Sequence, residues 1–355
     1  MKLPFDLGVK LFFRLLIPGF CASLGLLPLL LSLWEHVGWR ISVEYTLLLS
    51  ITVMGWLIIS FDVPIYMIFE GRRGWPDFLR EWYRQLEQDR LERISWTQNT
   101  YIQADRQKYL EASVEKRKFP FNQEGQYQAL LPTRLGNAMT AYETYPDTRY
   151  GMDAVFYWYR IWLTLDKDLK EDIDNRAALA DSAVYSSLAL YLSSLLWLVY
   201  SILPTLRVVA FKYAPGGLVS WCIFLFLLFS AYGVYRVSVT LHSQYGEFFK
   251  SLFDVYGSKV DVSSIVEEVA NITNDSSLLQ NSRRQHLQTA WRYLHNYRVK
   301  CPLCGVSLLV LEVERHNSNL HGTIAELASA TSAEQTVPAD VSQMLPEEST
   351  SVPRD

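Results

Sequence analysis

"LTLDKDLKEDIDNRAALADSAVYSSLALYLSSLLWLVY" runs from Leu163 to Tyr200. Its first half is acidic and polar, and from Ala183 onward it is apolar. No Gly or Pro occurs between Met152 and Leu203, so nothing local stops a helix. One helix starting near Asp166 is therefore expected to run from a water-exposed segment straight into a bilayer. Asp166, Asp168, Glu171 and Asp172 would sit in its first turns, where the helix dipole favours acids.

The apolar part of that stretch is one of four such blocks: about 15–34, 43–69, 183–203 and 217–235. A hydrocarbon core of roughly 30 Å needs about 20 apolar residues as a helix, and each block approaches that. The blocks predict an all-α membrane protein with four transmembrane helices in two hairpins. The first hairpin covers 1–70 and the second 183–240. Lys2, Lys10 and Arg14 precede the first block as in a signal peptide. The apolar run is longer than a secretory h-region, and no convincing cleavage site follows before Glu35, so the block reads as a retained helix.

Lys and Arg near the span ends set orientation. Three precede the first block, and Arg72, Arg73, Arg80, Arg84, Arg90 and Arg93 follow the second, whereas the first hairpin loop has only Arg40. Both termini and the insert at 71–182 are thus expected in the cytoplasm, with the protein multi-pass in a bacterial inner or plasma membrane. The net charge of −4 creates no field that favours nucleic acid. The expected surroundings are the lipid bilayer, other copies of the chain in a homo-oligomer, and a cytosolic protein partner.

The insert opens with "GWPDFLREWYRQLEQDRLERISW" (74–96), whose Trp75, Phe78, Leu79, Trp82 and Leu86 share one helical face. Such a helix can lie at the membrane interface or pack on protein. The insert then reaches "TRLGNAMTAYETYPDTRYGMDAVFYWYR" (133–160), at the centre of a juxtamembrane motif spanning 131–162. Arg134, Asn137, Arg149, Tyr150, Gly151, Asp153, Trp158 and Arg160 are its candidate structural residues. Gly136 and Gly151 point to turns or close backbone approach. Arginines among aromatic side chains suit stacking and hydrogen bonding. Arg134, Glu143, Asp153 and Arg160 could alternatively converge on a polar site with Asn137 and the tyrosines. The segment has no His, no Cys and no phosphate-cradling loop, so no catalytic constellation is expected.

"LPTRLGN" and "YPDTRYGMDAVFYWYRIW" together resemble a segment of uncharacterised bacterial multi-pass membrane proteins, through Pro132, Thr133, Leu135, Gly136, Asn137, Arg149, Tyr150, Gly151, Asp153, Ala154, Trp158 and Arg160. "IFEGRRGWP" (68–76) resembles a second element of that group through Glu70 and Gly71. The resemblance covers roughly residues 60–260. It implies a fold and a membrane location but no activity.

Arg14 and Asp62 are the charges at the edge of the first hairpin. Each lies about 24 residues from the loop centre, so equal rise places them at similar depth. An intramembrane pair between them is expected, since an unpaired charge there is costly.

After a helical extension at 241–300 comes "CPLCGVSLLVLEVERHNSNLH" (301–321). Cys301 and Cys304 have C-x2-C spacing, and His316 and His321 follow at nearly C2H2 spacing. A small zinc-finger-like module at 301–321 is expected, with structural zinc on those four residues and a short helix from about Ser307. The segment also resembles ubiquitin-binding zinc fingers, which place Cys where Leu320 stands. The tail at 322–355 has no aromatic residue and is expected to be disordered. The functional expectation is a membrane scaffold or sensor presenting cytosolic surfaces. The alternative is a subunit of an oligomeric channel or transporter.

Overall fold

The computed structural model describes residues 10–121, 130–205, 213, 217–273, 276–295, 298–300 and 307–309. It divides into two units, 1–261 and 262–355.

Among the described residues of the first unit the regular elements are helices. A π-helical turn at Phe12–Leu16 leads into α1 (Ile17–Val37). α1 begins with Pro at its second position, where no intrahelical N–H is needed. It ends at Gly38, whose φ of 81° supplies the left-handed stop. α2 (Val43–Ser60) returns, and α3 (Asp62–Phe69) follows it after a break at Phe61. The expected single span at 43–69 is thus two helices. Pro64 cannot donate to the Ser60 carbonyl and its ring crowds it, so the helix re-forms one residue later in a new register.

The insert holds α4 (Asp77–Tyr101), α5 (Arg106–Lys116), α6 (Arg134–Glu143), α7 (Tyr145–Tyr150) and α8 (Ala154–Thr164). Pro76 stands at the start of α4. Asp105 caps α5, accepting from the amides of Gln107 and Lys108. The second hairpin is α9 (Lys167–Thr205) and α10 (Leu218–Tyr256), each 39 residues long. Asp166 accepts from the Leu169 amide at 2.8 Å and starts α9, as the absence of helix breakers predicts. At 1.5 Å per residue each helix is roughly 58 Å long, well beyond the hydrocarbon thickness. Four helical stretches are long and apolar enough to cross a membrane: Phe12–Val37, Val43–Ser60, Lys167–Leu203 and Leu218–Lys259.

Small residues let these helices approach closely. A Cβ on Gly19 would fall 2.1 Å from the Ile51 carbonyl oxygen, and one on Gly55 would fall 2.3 Å from that of Leu15. α1 and α2 therefore meet backbone to backbone, as small-residue membrane interfaces do. Ser23 and Ser50 hydrogen-bond across this contact at 2.8 Å. α9 seals α1 from the other side. Pro28 leaves the Leu24 carbonyl without its helical donor, and Trp197 Nε1 supplies one at 2.9 Å. Tyr200 donates to the Gly25 carbonyl and Ser193 to that of Cys21. α9 and α10 bury Leu190, Trp197, Tyr200, Leu227 and Ala231 between them. These α1 carbonyls thereby find donors inside the bundle.

The second unit contains α11 (Ser263–Thr273), α12 (Arg283–Leu294) and a two-strand antiparallel ladder, β1 (Arg298–Lys300) with β2 (Ser307–Leu309). The expected helix from about Ser307 is corrected by β2. Ser307 pairs with Lys300, and the Val299–Leu308 register makes both 298–300 and 307–309 extended strand. Cys301, Cys304, His316 and His321, and the tail at 322–355, lie outside the described residues.

Candidate functional site

The site lies where the bundle runs into the insert. Its innermost part is a chain of polar side chains contributed by α3, α9, α10 and the π-turn before α1. The Asp181 carboxylate is buried on α9, one turn below the apolar block. It accepts from Arg14 on one oxygen and from the Tyr66 hydroxyl on the other. Tyr66 has one proton to donate, so His242 Nε2, 3.2 Å from the same hydroxyl, is the donor there. That fixes the tautomer. His242 Nδ1 then carries the lone pair, and it is buried with no partner among the described residues. His242 itself is only 3% exposed. Lys10 extends the row with an ion pair to Asp174.

The expected Arg14–Asp62 pair is corrected here. Arg14 pairs with Asp181, and Asp62 accepts instead from the Tyr185 hydroxyl. The two acids' phenolic partners, Tyr66 and Tyr185, touch edge to face at 6.1 Å between centroids. The reason for the exchange is the break at Phe61, which re-aims Asp62, together with a second acid, Asp181, on α9. Asp181 was missed because it precedes the apolar block and counted as part of the insert.

The motif forms a second layer around this chain. Thr133 caps α6, accepting from the Gly136 amide at 2.9 Å. The Asn137 side chain clasps Leu131 both ways, accepting from its amide at 2.8 Å and donating to its carbonyl at 3.0 Å. It also donates to Glu87 at 3.3 Å. Buried Glu87 further receives Arg90 at 3.2 Å and Arg134 at 3.5 Å. The two motif pieces interlock. A Cβ on Gly136 would lie 2.3 Å from the Glu70 carbonyl oxygen. One on Gly71, whose φ is 79°, would lie 2.2 Å from the Pro132 ring.

Farther along, Gly151 ends α7 with φ 71°. Asp153 caps α8, accepting from the Phe156 amide at 2.7 Å. The Tyr145 and Tyr150 hydroxyls both donate to Asp254 on α10, at 2.8 and 2.6 Å. Burial, reinforced by that carboxylate, holds both phenols above the ordinary range. Arg149 lies beside the Tyr150 hydroxyl. Trp158 packs on Phe249 and Phe253 of α10, with centroids 4.9 and 6.4 Å away. Arg160 turns back on its own helix, 3.5 Å above the Phe156 ring and donating to the Phe156 carbonyl. Gly246 of α10 gives Tyr142 room, since a Cβ there would fall 2.4 Å from its ring.

The motif residues thus act as caps, clamps and stacked anchors. They do not converge on one polar site. Arg134 and Asn137 meet at Glu87, Glu143 pairs with Arg72 at 3.0 Å, and Asp153 and Arg160 serve α8. The Glu70 carboxyl, beside Arg72, sits largely buried near Glu143. Burial outweighs the guanidinium and pushes it up to about 7.

Among the described residues no group of three or more His, Cys, Asp or Glu is placed to hold a metal ion. Comparison with protein-family models, with curated proteins and with solved structures found no match.

Proposed function

We propose that the chain is an integral membrane scaffold or sensor, with its termini and the 71–182 insert on the cytosolic side. The observation that carries this reading is the pair of unbroken 39-residue helices. Each leaves the hydrocarbon as a continuous rod, and α6 to α8 are fastened along α10 by aromatic stacking and the Asp254 bonds. A change in the packing of the spans would move the insert with them. Such a body suits presenting a surface to a cytosolic protein, as a homo-oligomer of this chain. Reporters at residue 1, within 122–129 and at 355 should all be shielded from an external reagent, while reporters at 38 and 212 should react. A reactive reporter within 122–129 would reject the arrangement.

The second reading is a subunit of an oligomeric channel or transporter. It draws on the Arg14–Asp181–Tyr66–His242 row, because ionisable groups within membrane helices mark ion or proton pathways in many proteins. A pH-sensitive dye inside liposomes separates the two. Proton flux lost in Asp181→Asn would favour transport; liposomes as tight as empty ones would favour the scaffold.

In the second unit, structural zinc on Cys301, Cys304, His316 and His321 is part of the same proposal. Its support is the ligand spacing, bracketed by a ladder that pairs Lys300 with Ser307. Full-length protein should then carry about one zinc per chain and lose it in Cys304→Ser. Metal-free wild-type protein purified without chelator would refute the site.

A further inference from the structure

A cavity of about 590 Å³ opens between the end of α3, the first half of α4, the 132–134 turn, α9 and α10. It has two chemically distinct walls. Phe69, Tyr191, Tyr232 and Tyr235 form an aromatic wall that rises into the apolar blocks. Arg90, Arg93, Arg134 and Arg236 form a cationic wall. Glu87 is the acid in that lining, and it is already held by Arg90, Arg134 and Asn137. Arg93 and Arg236 have no carboxylate within 4.0 Å among the described residues. The contact shown for Arg236 is a 3.4 Å hydrogen bond to the Tyr232 hydroxyl.

Arg90 is taken up by Glu87 and Glu115 and Arg134 shares Glu87, so Arg93 and Arg236 are left to meet an anion. Arginine presents a planar fork matched to phosphate oxygens. The aromatic wall calls for hydrocarbon. Arg236 stands directly after the fourth apolar block and Tyr191 stands inside the third, so the cavity bridges the headgroup and acyl regions. The helix that roofs it points the same way. Phe78 is 73% exposed, Trp82 53% and Leu86 42%, so this face of α4 does not pack on the rest of the chain. An amphipathic helix with exposed Trp and Phe and flanking Arg is built for the membrane interface. The volume lies within the roughly 300–1,000 Å³ of small-ligand sites. It accommodates a glycerophosphate head and the first carbons of its chains, with the rest passing out beside Tyr232, itself 51% exposed.

We propose that this cavity binds one anionic phospholipid from the surrounding leaflet. Its phosphate lies against Arg93, Arg134 and Arg236, and its acyl chains lie along Phe69, Tyr191 and Tyr232. The proposal rests on the membrane reading and not on the scaffold reading, because a channel subunit would hold the same lipid.

The test uses full-length protein extracted from membranes into detergent. Native mass spectrometry counts retained lipid, and thermal unfolding is followed during titration with phosphatidylglycerol, phosphatidylcholine or glycerol 3-phosphate. Wild-type protein should retain about one anionic lipid and be stabilised by phosphatidylglycerol in preference to phosphatidylcholine, as specific binding to the folded state requires. Glycerol 3-phosphate should not compete at equal concentration. Arg93→Gln with Arg236→Gln should weaken phosphatidylglycerol about tenfold or more. Arg80→Gln with Arg84→Gln, on the same helix but outside the cavity, should not. Tyr191→Trp, which fills the aromatic wall without changing charge, should also evict the lipid and keeps the test decisive if the arginine variant does not fold. Equal loss in the Arg80/Arg84 variant would overturn the proposal in favour of diffuse surface charge. Competition by glycerol 3-phosphate as strong as that of the lipid would overturn it in favour of a soluble anion. Wild-type protein found outside the membrane fraction would fail the membrane reading itself.

Discussion

The two hairpins solve different problems with the same two-span plan. In the first, α1 and α2 touch backbone to backbone through Gly19 and Gly55, and the chain breaks at Phe61 within the apolar block. In the second, α9 and α10 contact through larger side chains such as Leu190, Trp197 and Leu227 and continue unbroken for 39 residues each. The first hairpin is a compact anchor of shorter helices, 21 and 18 residues. The second is a pair of rods, one of which, α10, carries the contacts to α6, α7 and α8. Asp181 stands where the two meet, on a rod but bonded to Arg14 and Tyr66 of the anchor.

The difference predicts where substitutions are tolerated. Gly19→Val and Gly55→Val should have the largest effect, because the carbonyl oxygens 2.1 and 2.3 Å from the new Cβ belong to helical backbone and cannot yield. Each should cost at least about 3 kcal/mol and leave little monodisperse protein by size-exclusion chromatography. Gly233→Val on α10, with nothing within 4 Å of its Cβ, should purify like wild type. Equal yields at all three positions would erase the distinction between anchor and rods.

The junction comes next. Asp181→Ala should cost about 2–3 kcal/mol, less than the roughly 3–5 for breaking a fully buried pair, because Arg14 keeps access to headgroups. Exchanging the partners, as Arg14→Asp with Asp181→Arg, should recover part of the loss in a thermal unfolding assay. The same exchange between Arg14 and Asp62 should recover none, since Asp62 is bonded to Tyr185. Recovery in the Asp62 exchange alone would restore the simpler hairpin pairing.

The last effect, comparable in size to that of the junction, is a pH dependence. Glu70 titrates near 7 in the folded chain because it is buried. The unfolded chain ionises it near the ordinary glutamate value of 4.5. Between these values the folded state holds the extra proton, so this contribution to stability falls as pH rises from about 4.5 to 7 and is flat above. At roughly 1.4 kcal/mol per pH unit the full span amounts to about 3 kcal/mol. Glu70→Gln should flatten that slope in denaturation curves taken across the window. An unchanged slope would mean that Arg72 keeps the carboxylate charged.

Much of this division was readable in the sequence. The apolar blocks gave the spans by length alone, and the lack of Gly and Pro after Met152 gave the length of α9. Gly151 and Asp153 were readable as helix punctuation, because a left-handed stop and an N-cap are local chemistry. The break at Phe61 was also local, and Pro64 is its signal. Asp181, Tyr66 and His242 were not readable as a group. They come from three helices far apart in sequence, and only packing brings a carboxylate, a phenol and an imidazole into one row. Glu87 was hidden likewise in a charge-balanced stretch, its burial decided by α6 laying Arg134 and Asn137 against it.

The central claim is that the insert and the second hairpin move as one body. It is tested most directly by a distance distribution between spin labels at Val155→Cys on α8 and Phe226→Cys on α10, both exposed sites, with the native cysteines replaced by serine and the protein in a bilayer. The account predicts one narrow distribution, which broadens when Gly246→Val drives the Tyr142 ring away from α10. A broad or multiply peaked distribution in the protein with native Gly246 would contradict it.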